Sequence, residues 1–249
     1  MIPKIIHYCW FGRNPLPPLA QECITSWRKF LPDYEIKEWN EDNFDVNSIP
    51  YTKEAYAAKK YAFVSDYARF VILYKYGGIY FDTDVEVIKP IDDIVDNGPF
   101  MGFERDPDKY GEGLIAPGLG MACEPNMPFI KRMIDLYNQL SFKDDKGDLN
   151  QKTICEYTTE FLREDGLSRS KGVQESSGFK LYPSEYFAPI HFITRRLHVR
   201  ENTRTIHRYM ASWTEQKNKT KKDYLQHYMP EIILIWYNRL KNIKELRLR

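Results

Sequence analysis

Residues 61–86 read YAFVSDYARFVILYKYGGIYFDTDVE. Tyr56, Phe63, Phe70 and Leu73 recur at helical spacing, which predicts one long helix capped by Thr52, running through Lys75 and closed by Gly77-Gly78. Ile79-Tyr80-Phe81 then reads as a short buried strand, followed by Asp82-Thr83-Asp84 and the alternating Val85-Glu86-Val87. Ligand sites in α/β sheets gather beyond the carboxyl ends of the strands, so a carboxylate pair at that point is the informative feature of the chain. Asp66 and Arg69 stand one helical turn apart and share a face. Their neighbours Ala62, Phe63, Val64, Phe70, Val71 and Ile72 are apolar on nearly every side, and charges in such a helix are costly unless they face a polar site.

Upstream, the Ile-rich stretch from Ile2 to Trp10 predicts a first strand opening into a Gly12, Pro15, Pro17, Pro18 loop. Leu19, Cys23, Ile24, Trp27 and Phe30 predict a helix stopped at Pro32, and Tyr34 to Trp39 a second strand. This βαβ opening predicts an α/β layer fold with a mostly parallel central sheet flanked by helices. Downstream, strands are expected at Phe100–Phe103, within 114–123, at 180–182 and at 203–206, and helices at 128–140, 153–162 and 231–247.

The 249 residues suit one substantial core, and 43% hydrophobic and 15% aromatic content argues against disorder. A net charge of +1 argues against a nucleic-acid partner, whose recognition rests on broad phosphate neutralisation. The balance hides an asymmetry: from Lys217 to Arg249 nine Lys or Arg face three acids, about +6. The four cysteines are scattered without a C-x-x-C pair, so neither a zinc site nor a redox motif is expected, and a cytoplasmic location is. No apolar stretch reaches the roughly 18 residues of a spanning helix. There is no Walker-type loop, which argues against a P-loop phosphotransferase.

Two carboxylates separated by one residue can present oxygen ligands to a hard cation such as Mg2+ or Mn2+. Taken with Asp-x-x-Arg at this spacing, Gly-Gly-x-Tyr-x-Asp-x-Asp resembles the sugar-binding Asp-x-Asp region of glycosyltransferase family 32. That family includes fungal initiating mannosyltransferases and bacterial capsule and lipopolysaccharide enzymes, and its core is similar to the glucosylating domain of large clostridial toxins. The segments Ile5–Gly12 and Ile206–Trp213 also resemble the family's first strand and its closing His-x4-Ser-Trp segment. The resemblance covers roughly the first 213 residues, but the family's Thr-Gly-Pro-like segment has no clear counterpart, with 150–153 standing at its place.

The resemblance implies a Rossmann-like GT-A catalytic domain over 1–215, and a retaining glycosyltransferase that moves a sugar from a nucleotide-sugar donor, a UDP-sugar favoured and a GDP-sugar the alternative, to a saccharide or lipid-linked saccharide. It implies that Trp10 stacks on the base, that Asp66 and Arg69 hold sugar hydroxyls and phosphate, and that Tyr80 lies beside the ribose or diphosphate. Asp82 reaches the ribose and the metal, Asp84 ligates the metal, His207 is a further ligand, and Ser212 and Trp213 contact phosphates. The implied setting is bacterial surface-polysaccharide synthesis at the inner face of the membrane. Residues 216–249, with Ile232, Ile233, Ile235, Trp236 and Leu240 among basic residues, are expected to form a helical extension packed on the domain or on an anionic membrane. The rival readings are a non-catalytic, metal-dependent carbohydrate-binding module and a nucleotide-sugar hydrolase.

Overall fold

A computed structural model of the chain describes residues 1–210 apart from 109, 110, 145, 192 and 193. The expected closing residues Ser212 and Trp213 and the extension 216–249 lie outside the described residues.

The chain opens as a βαβ unit, with strand β1 (Ile5–Cys9), helix α1 (Pro18–Phe30) and strand β2 (Glu35–Trp39). Pro18 sits in the first turn of α1, where a missing N–H costs nothing. Helices α2 (Pro50–Ala57) and α3 (Tyr61–Tyr76) follow, then β3 (Gly78–Tyr80), β4 (Val85–Val87) and the short α4 (Asp92–Val95). Next come β5 (Phe100–Arg105), β6 (Leu114–Ile115), a 3-10 turn at Pro117–Leu119, β7 (Met121–Cys123), α5 (Pro128–Asn138) and α6 (Ile154–Glu164). The described part ends with β8 (Gln174–Ser176), β9 (Phe179–Tyr182), α7 (Ser184–Phe187) and β10 (Thr205–His207).

The helix expected from Thr52 to Lys75 is two helices, and it begins at Pro50 rather than at a Thr52 cap. The break lies at Lys59, whose φ of 58° is left-handed. Lys60 N–H donates to Ala55 O and Lys59 N–H to Tyr56 O, the paired bonds of a Schellman ending. Such endings favour glycine, and a lysine in that place hides the stop from a reader of sequence.

The main sheet has eight strands in the order β2-β1-β3-β7-β5-β9-β8, with β6 beside β5. Strands β1, β2, β3, β5 and β9 run one way, while β7, β6 and β8 run against them. Two apolar clusters cover the sheet, one gathering Val64, Phe70, Tyr137 and Phe142, the other Trp27, Phe81, Ile91 and Phe187. This is the layered α/β fold that the opening unit predicts. Among the described residues no helix is long and apolar enough to cross a membrane.

Two features fix the site's scaffold. Gly77 and Gly78 have φ of 62° and 94°, and a Cβ would meet Pro125 Cδ at 2.7 Å in one case and Ile5 O at 2.6 Å in the other, so the turn from α3 into β3 needs both. Behind them lies His7, fully buried, with Nε2 3.0 Å from Gly77 O and Nδ1 accepting from Trp39 Nε1 at 3.1 Å. Burial pushes the His7 imidazole down to about 4, so the folded chain holds it neutral where an unfolded chain protonates it below about 6.5. Its contribution is complete above about 6.5 and fades as pH falls toward 4, a loss of about 3 kcal/mol at one kcal-scale step per unit. Asp66, raised by burial to about 7, works in the opposite sense, its cost growing as pH rises from the ordinary carboxyl range toward 7. The measurement is therefore a difference: the stability gap between the native chain and His7→Gln in urea melts should narrow steadily from pH 6.5 to 4. A constant gap would remove the buried neutral imidazole.

Candidate active site and cation cluster

Strands β1 and β3 are parallel neighbours, in register at Ile6–Ile79 and His7–Tyr80. Their carboxyl ends therefore deliver Trp10 and Asp82 to the same edge of the sheet. Trp10 is half-buried, its backbone N–H donating to Trp39 O at 2.8 Å and its indole N–H to Asn14 O at 2.6 Å. The indole face, not its N–H, is what remains available for stacking.

Helix α3 lies across β1 and β3 and presents Asp66 and Arg69, both buried. Arg69 Nη2 donates to Asp66 Oδ1 at 2.8 Å and lies 3.3 Å from Asp82 Oδ1, while its Nε donates to Ser65 O at 3.2 Å. The guanidinium also sits 4.6 Å from the centroid of the Tyr80 ring. Burial opposes the charge on Arg69, yet Asp82, Tyr80 and Asp66 around it raise its pKa. Burial raises Asp66 despite the pull of Arg69, with Asp82 adding to the rise. One cation thus holds two carboxylates at the carboxyl end of β3, an arrangement whose desolvation is repaid only while all partners are present.

After β3 the chain turns, with Val85 N–H donating to Asp82 O at 3.1 Å, and leaves the main sheet. Strand β4 pairs instead with β10 in a separate two-stranded sheet, antiparallel, with His207 opposite Val85. That register brings His207 Nε2 to 3.1 Å from Asp84 Oδ1. Met210 N–H donates to Asp84 Oδ2 at 2.8 Å, and Arg208 N–H to Asp84 O at 2.8 Å. Burial disfavours charge on Asp84, but hydrogen bonds from His207 and Met210 outweigh it and hold the carboxyl below its ordinary value. Burial likewise opposes charge on His207, and the bond to Asp84 overcomes it and raises the imidazole.

Ligand atoms of Asp82, Asp84 and His207 all lie within 4.8 Å of one another. His207 Nδ1 is buried with no hydrogen-bond partner, and the other ring nitrogen faces only Asp84. Two carboxylates and an imidazole lacking a complete set of partners fit a hard divalent cation of the Mg2+ or Mn2+ type.

Among the sequence-predicted residues, the structure brings together Asp66, Arg69, Tyr80, Asp82, Asp84 and His207, and places Trp10 on the neighbouring strand end. Sequence reasoning missed Gly118. The 3-10 turn lays this residue against Asp82: Asp82 N–H donates to Gly118 O at 2.9 Å, and a Cβ on Gly118 would fall 1.8 Å from Asp82 Oδ2. The Ala-Pro-Gly-Leu-Gly run at 116–120 signals a tight turn but not its neighbour. Tyr209 was missed too, with its ring 4.2 Å from that of His207.

Residues 17–101 match the family described as "Glycosyltransferase sugar-binding region containing DXD motif". Inositol phosphoceramide mannosyltransferase 1 of Schizosaccharomyces pombe is 27% identical over 172 residues, 65% of this chain and 48% of that protein. Inositol phosphoceramide mannosyltransferase 3 of the same yeast is 35% identical over 98 residues, 38% of this chain and 27% of that protein. The chain thus spans about half or less of these relatives' length. They are fungal proteins, not the bacterial surface-polysaccharide enzymes that the sequence reading expects. Among solved structures, the PaToxG glycosyltransferase aligns with a TM-score of 0.46 at 19% identity, covering 66% of this chain and 70% of that one. The match over residues 17–101 spans α1, β2, helix α3 and the Asp82-Thr83-Asp84 turn, and in that region the chain is similar to the glycosyltransferases that carry this sugar-binding region.

Proposed function

We propose that the protein is a metal-dependent glycosyltransferase that takes a sugar from a nucleotide-diphosphate donor and passes it to a saccharide or lipid-linked saccharide. The reading is carried by one observation: the Asp82, Asp84 and His207 cluster lies against the Arg69–Asp66 pair at a strand's carboxyl end. A divalent cation there would neutralise the charge that builds on the diphosphate as the sugar departs.

Asp84 and His207 would hold the divalent cation, and Asp82 would reach both the cation and the donor's ribose. Arg69, clamped by Asp66 and Asp82, is a fixed donor that needs no reorganisation when negative charge develops. Asp66 orients the sugar hydroxyls, Tyr80 flanks the diphosphate, and the Trp10 indole stacks on the base. Ser212 and Trp213 would close over the phosphates and exclude water, which otherwise competes as acceptor. The resemblance to family 32 implies retention of anomeric configuration, with no separate protein nucleophile.

The resemblance to family 32 favours UDP-sugars, while the relatives named as mannosyltransferases bring a mannose donor into the test. Incubation with UDP- and GDP-sugars plus Mn2+ should show slow donor hydrolysis that a saccharide acceptor accelerates. Hydrolysis that no saccharide or glycolipid acceptor changes would favour a nucleotide-sugar hydrolase. Binding of saccharide without any donor turnover would favour a carbohydrate-binding module.

A further inference from the structure

Strand β5 runs parallel to β1 and β3, with β7 running against them between β3 and β5, so the carboxyl end of β5 opens on the edge that holds Trp10 and Asp82. The residue delivered there is Glu104, half-buried. It occupies a bulge: Phe103 pairs with Ile115 and Arg105 with Leu114, and Glu104 is the extra residue between them. A bulge re-aims the side chain it carries. Apolar packing does not ask for a carboxylate at this point, since Met101 and Phe103 fill one core cluster, Phe100 fills the other, and Glu104 follows where the buried run ends.

Three neighbours register the carboxylate. Tyr209, stacked on His207, has a buried hydroxyl that closes no hydrogen bond of normal length. Burial raises that hydroxyl, and the Glu104 charge raises it further. Burial lowers the His207 imidazole, and among the acids that raise it against burial Asp84 leads, followed by Asp82 and Glu104. Cys155, half-buried in the first turn of α6, is raised by burial first and next by Glu104 and Asp66. Helix α6 itself packs on the 3-10 turn that carries Gly118. Glu104 thus faces the space shared by α6, the His207 corner and the Asp66–Arg69 pair.

Position along the sheet edge says what such a group would meet. Strand β1 brings Trp10 and β3 brings the acids, while β5 lies two strands beyond β3, about 10 Å at the usual spacing. In a nucleotide-sugar the diphosphate separates base from sugar. A group across the cation from Trp10 therefore lies toward the sugar and the molecule that receives it. Glu104 stands outside the cluster of Asp82, Asp84 and His207, whose ligand atoms fall within 4.8 Å of one another.

We propose that Glu104 holds the acceptor saccharide, accepting hydrogen bonds from its hydroxyls at the β5 bulge and setting the attacking oxygen beside the anomeric carbon. The inference rests on the glycosyltransferase reading and adds the acceptor side to it. In the transfer the acceptor oxygen bonds to the anomeric carbon as the bond to the diphosphate breaks; the electron pair leaves on the diphosphate oxygen, and the hydroxyl proton passes to that oxygen. Glu104 gains and loses no atom. It fixes the approach of the saccharide, and without it water competes on better terms.

The test reads a ratio. The full chain with Mn2+ and UDP-glucose, UDP-galactose or GDP-mannose is offered methyl glycosides of glucose, galactose and mannose, and transfer to glycoside is counted against donor hydrolysis. Glu104→Gln, which keeps the shape and exchanges the carboxylate for an amide, should lower the transfer-to-hydrolysis ratio by about ten- to a hundredfold, the scale of one hydrogen bond to a charged group, and raise the glycoside KM. A structural role alone would lower transfer and hydrolysis together, and an unchanged ratio overturns the inference. A rise in donor KM with the ratio held would place Glu104 on the transferred sugar and also overturn it. So would a native chain that hydrolyses donor yet passes sugar to none of the glycosides. A native chain that turns over no donor removes the glycosyltransferase reading itself, and the inference falls with it.

Discussion

Asp84→Ala should lower cation-stimulated sugar transfer by about a thousandfold, the scale at which a preorganised electrostatic group is lost from a site. Of the two acids in the motif, Asp84 is the more committed: one oxygen meets His207 and the other takes the Met210 amide. Removing the carboxylate therefore deletes one ligand, frees the imidazole that was a second, and leaves the half-buried Met210 N–H without its acceptor. The last effect costs about 1 to 3 kcal/mol of stability, which an α/β domain of this size survives. Asp84→Asn separates the two losses, because the amide oxygen can still accept from Met210 while the charge is gone. Initial rates with and without Mn2+, beside calorimetric Mn2+ affinity and a thermal melt, give the three readouts. A folded Asp84→Ala protein with native Mn2+ stimulation would remove this residue from cation binding. The native affinity should also weaken as pH falls, since the raised His207 must release its proton before its ring nitrogen can serve a cation.

What could be read from sequence was local. The run from Tyr61 to Asp84 carries its own signals: a helical apolar period, a Gly-Gly exit that only glycine can make, three residues of strand, then the acids. The βαβ opening was equally legible because α1 begins at a proline-marked start, β1 is a short apolar run and β2 alternates polar and apolar residues over Glu35–Trp39. The rest depends on contacts across long separations. His207 meets Asp84 from 123 residues away, through a two-stranded pairing that no spacing rule predicts; resemblance to a family pointed to it, and the β4–β10 register explains it. The antiparallel entry of β7 between β3 and β5 is likewise invisible in three residues, Met121 to Cys123. Lys59 concealed the break between α2 and α3 because its left-handed backbone is imposed by the helix ending and not favoured by its side chain.

Gly118→Ala should cut kcat/KM by about a hundredfold or more with only a small loss of stability. The reason is steric and specific. The new methyl would lie 1.8 Å from Asp82 Oδ2 and 2.6 Å from Asp82 Cγ, far inside contact distance, and 3.0 Å from an Arg69 terminal nitrogen. Gly118 does not occupy a left-handed conformation, so alanine suits its backbone, and the bond from Asp82 N–H to Gly118 O resists movement of either chain segment. The carboxylate is the softest part of the contact, and it must swing away. In doing so it leaves Arg69 Nη2, now 3.3 Å from Asp82 Oδ1, and abandons its place in the cation cluster. Overpacking of this kind costs about 1 to 3 kcal/mol, a shift of several degrees in Tm for a domain of this length. Loss of activity far beyond the fraction unfolded would mark displacement of Asp82 as the cause. If Gly118→Ala instead kept native kcat/KM, the carboxylate would have room that this geometry denies it, and Asp82 would no longer be held at a fixed distance from Arg69.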